Sequence, residues 1–122
     1  MVRIIGYGGK TPTEFFAELE AMKPDLIIDV RDSPHRSFLH TYTKASLEKR
    51  LGEKYLWLPD CGNASRRLPP TLRDEAACLD EIKKLMEAHG TIVLLCAEKD
   101  GRRCHRSYIR RKLNASARVK TP

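Results

Sequence analysis

The sequence predicts a single α/β domain, built on a mainly parallel sheet of about four strands with helices on both faces. Four short apolar runs alternate with segments of helical periodicity, and these runs lie at residues 2–6, 25–30, 54–58 and 91–96. Their apolar residues occupy consecutive positions, as in strands that are covered on both faces. The alternation of strands and helices favours parallel pairing, and 122 residues suit one domain.

Helix boundaries are indicated by capping residues. Thr11, Pro12 and Glu14 provide a capping box with proline in the first turn, which predicts a helix over residues 12–22. The other helices are predicted over residues 44–50, 72–89 and 104–113. Gly90 is expected to end the helix over residues 72–89 in a left-handed conformation, because glycine adopts positive φ without a steric cost.

Positive charge is concentrated at the end of the chain. Residues 1–101 contain 15 basic and 16 acidic residues, whereas residues 102–122 contain 8 basic residues and no acidic residue. We predict one domain over residues 1–113, followed by a loose basic tail over residues 114–122. A local block of positive charge favours a polyanion, a phosphate-bearing ligand or an acidic partner.

The bulk properties argue against a membrane protein and against a disulfide-rich secreted domain. No apolar run approaches the roughly 18 residues of a membrane helix, and the amino terminus begins a strand rather than a signal peptide. We therefore expect a cytoplasmic protein with no membrane partner. Because the chain can bury a core, Cys61, Cys78, Cys96 and Cys104 are expected to be reduced thiols. No cofactor is predicted, and the sequence leaves the oligomeric state open.

Ligands of parallel sheets bind beyond the carboxyl ends of the strands. The candidate binding residues at the predicted strand ends are Gly6, Tyr7, Asp29, Arg31, Arg36, Gly62, Asp100, Arg102, Cys104 and Arg106. Glycines after the first strand allow close approach of a ligand to the backbone. A carboxylate at the end of a buried strand is costly unless it is paired, so Asp29 is expected to pair with an arginine such as Arg31 or Arg106. Alternatively, Arg31 and Arg36 hold a phosphate.

The segment 96–106 follows the fourth strand and combines thiols, carboxylates, an imidazole and guanidinium groups. The catalytic candidates within it are Cys96, Glu98 and His105. Cys96 and Arg102 have the spacing of a phosphatase loop, in which the cysteine is the nucleophile. Glu98 and Asp100 argue partly against this role, because nearby negative charges disfavour the thiolate that such chemistry needs.

Three other interpretations of this segment remain open. Cys96, Cys104 and His105 are metal-ligand types, but they lack the usual spacing of two to four residues, so no metal site is predicted. The carboxylates and His105 also suit acid-base chemistry. The last interpretation is a polar network that fixes the loop to the helix after it.

Several motifs together resemble the family called domain of unknown function 488. They are Ile5-Gly6-Tyr7, the segments 28–34 and 55–63, the segment 96–100, and Cys104-His105-Arg106. The resemblance extends over residues 4–113, and the family's name records that its activity is not established. It implies that the characteristic residues are Gly6, Asp29, Arg31, Pro34, Gly62, Cys96, Glu98, Asp100, Cys104, His105 and Arg106. This chain departs from the family pattern at residues 7–9, where a histidine is expected. A more distant similarity to rhodaneses lies at residues 28–31 and at Cys96.

The leading functional hypothesis is a domain that binds a phosphate-bearing small molecule or nucleic acid at its strand ends. The arginines expected to hold this ligand are Arg31, Arg36, Arg102, Arg103 and Arg106. One alternative is a cysteine-dependent enzyme of sulfur or phosphoryl transfer that uses Cys96, and another is a non-catalytic interaction module. The sequence does not decide whether the domain is an enzyme.

Overall fold

The protein folds around a four-stranded sheet in which all observed strand pairs are parallel. The structure is a computed structural model and describes residues 2–35, 40–64, 71–96 and 105–120. The strands are β1 (Val2–Gly6), β2 (Leu26–Asp29), β3 (Tyr55–Trp57) and β4 (Ile92–Cys96), and their spatial order is β1-β4-β2-β3. The predicted α/β class and parallel sheet are confirmed.

The sheet is buried on both faces, which explains the consecutive apolar residues of its strands. In β4, Ile92 and Leu94 point to one face, whereas Val93 and Leu95 point to the other, and all four side chains are fully buried. Because successive side chains of a strand alternate between faces, a strand covered on both sides must be apolar throughout.

Four helices provide the two covering layers. They are α1 (Pro12–Ala21), α2 (Lys44–Leu51), α3 (Glu75–Ala88) and α4 (His105–Lys120). α1 and α2 pack on one face, and α3 and α4 pack on the other. Short 3-10 helices lie at His40–Tyr42, Gly52–Lys54 and Pro59–Cys61. Within the described ranges, no helix is both long and apolar enough to cross a membrane.

The start of α1 forms through the predicted capping box. The backbone N–H of Thr11 donates to Glu14 Oε1 at 2.9 Å, and the backbone N–H of Glu14 donates to Thr11 Oγ1 at 3.2 Å. Pro12 occupies the first turn, where its missing N–H costs no helical hydrogen bond. Asp74 caps α3 in a similar way, because its carboxylate accepts from the backbone N–H of Ala77. This cap makes α3 begin at Glu75, three residues after its predicted start.

The predicted left-handed conformation of Gly90 and the predicted end of the last helix at residue 113 are both wrong. Gly90 does not have positive φ; instead it lies close to Asp25, whose Oδ2 would be 3.0 Å from a Cβ at this position. The expected loose tail is helical as far as Lys120, because α4 continues beyond Leu113 without a break. No glycine or proline occurs between Leu113 and Lys120, and two alanines favour the helix.

The expectation that all cysteines are reduced is also wrong. Cys61 and Cys78 form a disulfide with their Cα atoms 5.0 Å apart, and both residues are buried. Cys96 is likewise disulfide-bonded. Packing of the 3-10 helix at Pro59–Cys61 against α3 brings the first two thiols within bonding distance. Their separation of 17 residues in the sequence does not reveal this contact.

The strand order gives the sheet a topological switch point at the carboxyl end of β4. β4 lies between β1 and β2. The chain continues from β1 and β2 to helices on one face, but from β4 to a helix on the opposite face. Adjacent connections that diverge in this way leave space at the strand ends, and open α/β sheets bind ligands there.

We predict that the Cys61–Cys78 bond stabilises the fold. The double substitution Cys61→Ala and Cys78→Ala is expected to lower the free energy of unfolding by about 3 kcal/mol, because the bond restricts the unfolded chain. Urea unfolding without reductant measures this difference. Repeating the comparison with reductant is the control, since wild type then loses the bond as well and the difference should shrink. Equal stabilities without reductant would contradict the prediction.

Candidate functional site

The carboxyl edge of the sheet brings several predicted site residues together. Gly6 and Cys96 are register partners at the ends of β1 and β4, and Asp29 is the register partner of Leu95 at the end of β2. The backbone N–H of Tyr7 donates to the Cys96 carbonyl at 3.3 Å, which extends the pairing past the strand end. The predicted convergence of these strand ends is therefore observed.

A buried ion pair between Asp29 and Arg31 lies at the centre of this edge. Arg31 Nε donates to Asp29 Oδ1 at 2.8 Å, and Arg31 Nη2 donates to Asp29 Oδ2 at 2.6 Å. The backbone N–H of Arg31 adds a third bond to Oδ1 at 3.1 Å. Asp29 has no exposed surface and Arg31 is 7% exposed. Of the two arginines that the sequence left open as partners of Asp29, Arg31 is the one that pairs.

Two aromatic side chains of the neighbouring strand β3 extend this network. Tyr55 Oη donates to Asp29 Oδ2 at 2.5 Å, and Trp57 Nε1 donates to the Arg31 carbonyl at 2.9 Å. Burial raises the pKa of Tyr55, and the charge of Asp29 raises it further, so the hydroxyl remains a donor. Burial opposes the charge of Arg31, but its bonds and attraction to Asp29 raise its pKa overall. The guanidinium group of Arg31 therefore stays charged.

Two stacked tyrosines lie beside the guanidinium group. The rings of Tyr7 and Tyr42 are 4.1 Å apart with an interplanar angle of 17°. Arg31 Nη1 donates to Tyr7 Oη at 3.3 Å. Tyr42 is 1% exposed, and its hydroxyl has no hydrogen-bond partner among the described residues. Burial, followed by the nearby Tyr7 and Glu14, raises the pKa of Tyr42.

Tyr42 is a candidate site residue that sequence reasoning missed. It precedes the cap of α2 at Thr43 and carries no motif of its own. A buried polar group without a partner costs about 1–3 kcal/mol and calls for an explanation, such as a water molecule or a ligand. The only sequence signal would be an aromatic residue next to a predicted helix cap, which is too common to identify a site.

Arg31 retains unused hydrogen-bonding capacity. An arginine side chain has five N–H donors. Three of them are taken up by the two Asp29 oxygens and by Tyr7 Oη. Among the described residues, the Tyr55 hydroxyl also interacts with the guanidinium group, and no other acceptor lies within hydrogen-bond distance of the remaining two N–H groups. Arg31 is thus a charged group fixed in position, with two donors left for an acceptor from outside.

A second polar contact lies on the opposite face of the sheet. Arg106, near the start of α4, donates from Nη1 to Cys96 Sγ at 2.7 Å. Cys96 is fully buried and Arg106 is 2% exposed. Cys96 packs in the layer of α3 and α4, whereas Asp29 lies beside Leu95 in the layer of α1 and α2. The predicted strand-end set is therefore divided between two faces.

Gly62 allows the backbone to approach Asp32 closely. A Cβ atom at this position would lie 2.7 Å from the Asp32 Cα, a distance that no side chain tolerates. The Gly62 carbonyl accepts from the backbone N–H of Arg73 at 2.9 Å, and the Arg73 side chain forms an ion pair with Asp32. The geometry thus gives Gly62 a packing role, while a direct ligand contact stays a prediction.

The remaining predicted site residues cannot be placed. Those outside the described residues are Arg36, Glu98, Asp100, Arg102, Arg103 and Cys104. His105 is the first residue of α4, and the structure describes its backbone. No cluster of three or more metal-ligating side chains occurs among the described residues.

We predict that the Asp29–Arg31 pair is essential for stability. Asp29→Asn preserves the shape of the side chain but leaves the buried guanidinium charge unbalanced, so a loss of about 3–5 kcal/mol in unfolding free energy is expected. Arg73→Ala is the matched control. It removes the exposed partner of Asp32 and should leave stability nearly unchanged, because exposed ion pairs contribute little. Urea unfolding of both variants measures the effects, and similar losses would contradict the prediction.

Comparison with known proteins gives one family match. No curated protein and no solved structure matches this chain significantly. The model of the family described as Domain of unknown function DUF488 matches residues 70–113, which include α3, β4 and the first part of α4. The chain is therefore similar to this family over residues 70–113, in agreement with the resemblance predicted from the sequence motifs.

Proposed function

We propose that this domain binds a phosphate-bearing ligand at the carboxyl edge of its sheet, with Arg31 as the anchoring cation. The observation that carries the proposal is the pair of N–H donors that Arg31 retains while Asp29 holds its side chain in place. Guanidinium groups recognise phosphate through such donors, often two at a time. Because the side chain is already ordered, binding costs little conformational entropy.

The surroundings of Arg31 support binding of an anion with hydrogen-bonding oxygens. The site lies at the carboxyl edge of the sheet, next to the switch point of the strand order, where open α/β sheets bind ligands. The Tyr7 hydroxyl accepts from Arg31 Nη1 at 3.3 Å, and the Tyr7 ring stacks on Tyr42, whose hydroxyl lacks a partner among the described residues. Low solvent exposure strengthens each of these interactions relative to the same contact in water.

Long-range attraction would come from α4 rather than from the Asp29–Arg31 pair, whose charges cancel. α4 contains no acidic residue, and Arg110, Arg111 and Lys112 are exposed on it. Such a surface raises the local concentration of polyanions. The proposed ligand is therefore a nucleotide or nucleic acid rather than an isolated phosphate ion.

The amino end of α1 is less suited to this ligand. Thr11 and Glu14 already satisfy N–H groups there through the capping box. The Glu14 carboxylate also places a negative charge at that helix end, where it lowers the attraction for a second anion. The proposal therefore assigns the phosphate to Arg31, and not to the glycine-rich turn before α1.

Binding of AMP and of a short oligonucleotide tests this proposal. Trp57 is the only tryptophan and donates to the Arg31 carbonyl, so its fluorescence reports directly on the site. Arg31→Lys retains a positive charge beside Asp29 but loses the fork of donors, and it should weaken AMP binding about tenfold or more. Inorganic phosphate serves as the minimal probe, and wild-type affinity for the oligonucleotide should fall steeply with salt.

The control for this experiment is the double substitution Arg110→Ala and Arg111→Ala. It removes two exposed charges from α4, so it should weaken oligonucleotide binding while AMP affinity stays within about twofold. Unchanged AMP affinity in Arg31→Lys would refute the role of Arg31. Absence of saturable binding of all three probes at low salt would refute the proposed function itself.

A cysteine-dependent transfer enzyme is the second candidate, and the contact between Arg106 and Cys96 favours it. A guanidinium group 2.7 Å from the sulfur would stabilise a thiolate after reduction of the disulfide at Cys96. Burial of both groups weighs against an open nucleophile. The interaction module without chemistry stays a third prediction.

Thiol reactivity separates the second candidate from the first. After reduction, a catalytic Cys96 should react with iodoacetamide at pH 7 faster than Cys61 and Cys78, and Arg106→Met should remove this advantage. Peptide mass spectrometry measures the rate at each cysteine. Equal rates at all three would exclude the transfer enzyme, and nucleotide binding would be unaffected by that result.

A cytoplasmic location stays a prediction. Disulfides are uncommon in reducing compartments, so the bond between Cys61 and Cys78 weighs against this location.

A further inference from the structure

A groove lies at the amino end of β2 and β3, away from the strand-end site. α1 and α2 form its walls, together with the residues that lead into the two strands, and its volume is about 570 Å³. This volume is within the range of small-molecule sites in proteins. The residues that line it are Phe16, Leu19, Glu20, Lys23, Pro24, Asp25, Ile27, Arg50, Leu51 and Lys54.

One part of the groove is apolar. Phe16, Leu19 and Ile27 contribute core side chains whose residues are at most 5% exposed, and Leu51 is half-buried. These four residues belong to the core layer between α1, α2 and the sheet. A ligand that contacts them would bury hydrocarbon surface, which favours an aliphatic or aromatic body.

The rim of the groove is positively charged. Lys23, Arg50 and Lys54 are exposed there, and none of them has an ion-pair partner within the described ranges. Asp25, one of the two acidic residues in the lining, uses its Oδ2 to accept from the backbone N–H of Thr91 at 2.7 Å. Glu20 is the other. Cations therefore exceed the acidic groups that are available to balance them.

The Arg50 guanidinium group is held in position by Phe16, which belongs to the apolar part of the groove. Its Cζ lies 3.8 Å from the centre of the Phe16 ring, which is a stacked cation-π contact. A guanidinium held by one face on a ring still has its edge N–H groups available, and this edge matches the two oxygens of a carboxylate. Lys23 adds a further positive charge to the rim. It follows the end of α1 with a left-handed φ of 49°, beside the groove.

We infer that this groove binds a small amphipathic carboxylate. The apolar body lies against Phe16, Leu19 and Ile27, and the carboxylate pairs with Arg50 at the rim. The inference is independent of the proposed phosphate site, because it uses different residues at the opposite end of the strands.

Octanoate binding tests this inference. Titration of isotope-labelled protein with octanoate, followed by NMR, should shift the amide signals of Leu19, Ile27 and Leu51 in a saturable way. Arg50→Gln removes the carboxylate partner at an exposed position and should weaken binding about tenfold. Arg110→Gln is the matched control on α4 and should bind octanoate like wild type.

A second probe separates charge recognition from simple hydrophobic binding. Octylamine has the same hydrocarbon body with a positive group, and it should bind much more weakly than octanoate. Equal binding of the two probes, equal octanoate affinity in Arg50→Gln, or shifts confined to other surfaces would each overturn the inference.

Discussion

Asp29 ends the central strand β2 with a carboxylate that has no exposed surface, and much of the carboxyl edge is arranged around this charge. Arg31 neutralises it through two side-chain bonds, and Tyr55 adds a third from the neighbouring strand. Arg31 in turn contacts Tyr7 after β1 and accepts the Trp57 indole N–H at its carbonyl. Because an unpaired buried charge is costly, these contacts fix the ends of three segments relative to each other.

The same ion pair limits what Arg31 is able to do. Its charge is balanced by Asp29, so it adds little long-range attraction for an anion, but two of its N–H groups make no hydrogen bond of normal length to the described residues. Specific recognition and general attraction are therefore properties of different regions. Under the proposed function, the ordered guanidinium would supply short-range recognition, and the acid-free helix α4 would supply the long-range attraction.

The sheet separates the candidate residues into two groups, one on each face. Asp29 and Arg31 belong to the layer of α1 and α2, whereas Cys96 and Arg106 belong to the layer of α3 and α4. Neighbouring side chains on one strand end point in opposite directions. Because the two sets lie on opposite faces of the sheet, substitutions in one set leave the other in place, and the two candidate functions are separable by mutation.

Local sequence signals determined the α/β class, the four strands, the capping box of α1 and the basic carboxyl-terminal helix, because each depends on periodicity or capping within a few residues. Tertiary structure alone decided the strand order, the choice of Arg31 over Arg106 as the partner of Asp29, the burial of a Tyr42 hydroxyl that has no partner among the described residues, and the Cys61–Cys78 bond. The groove beneath α1 and α2 belongs to this second group. Such features join residues that are far apart in the chain. Tyr55 and Asp29, for example, are 26 positions apart in the sequence. Their contacts follow from which elements pack together, and composition and spacing do not encode that choice directly.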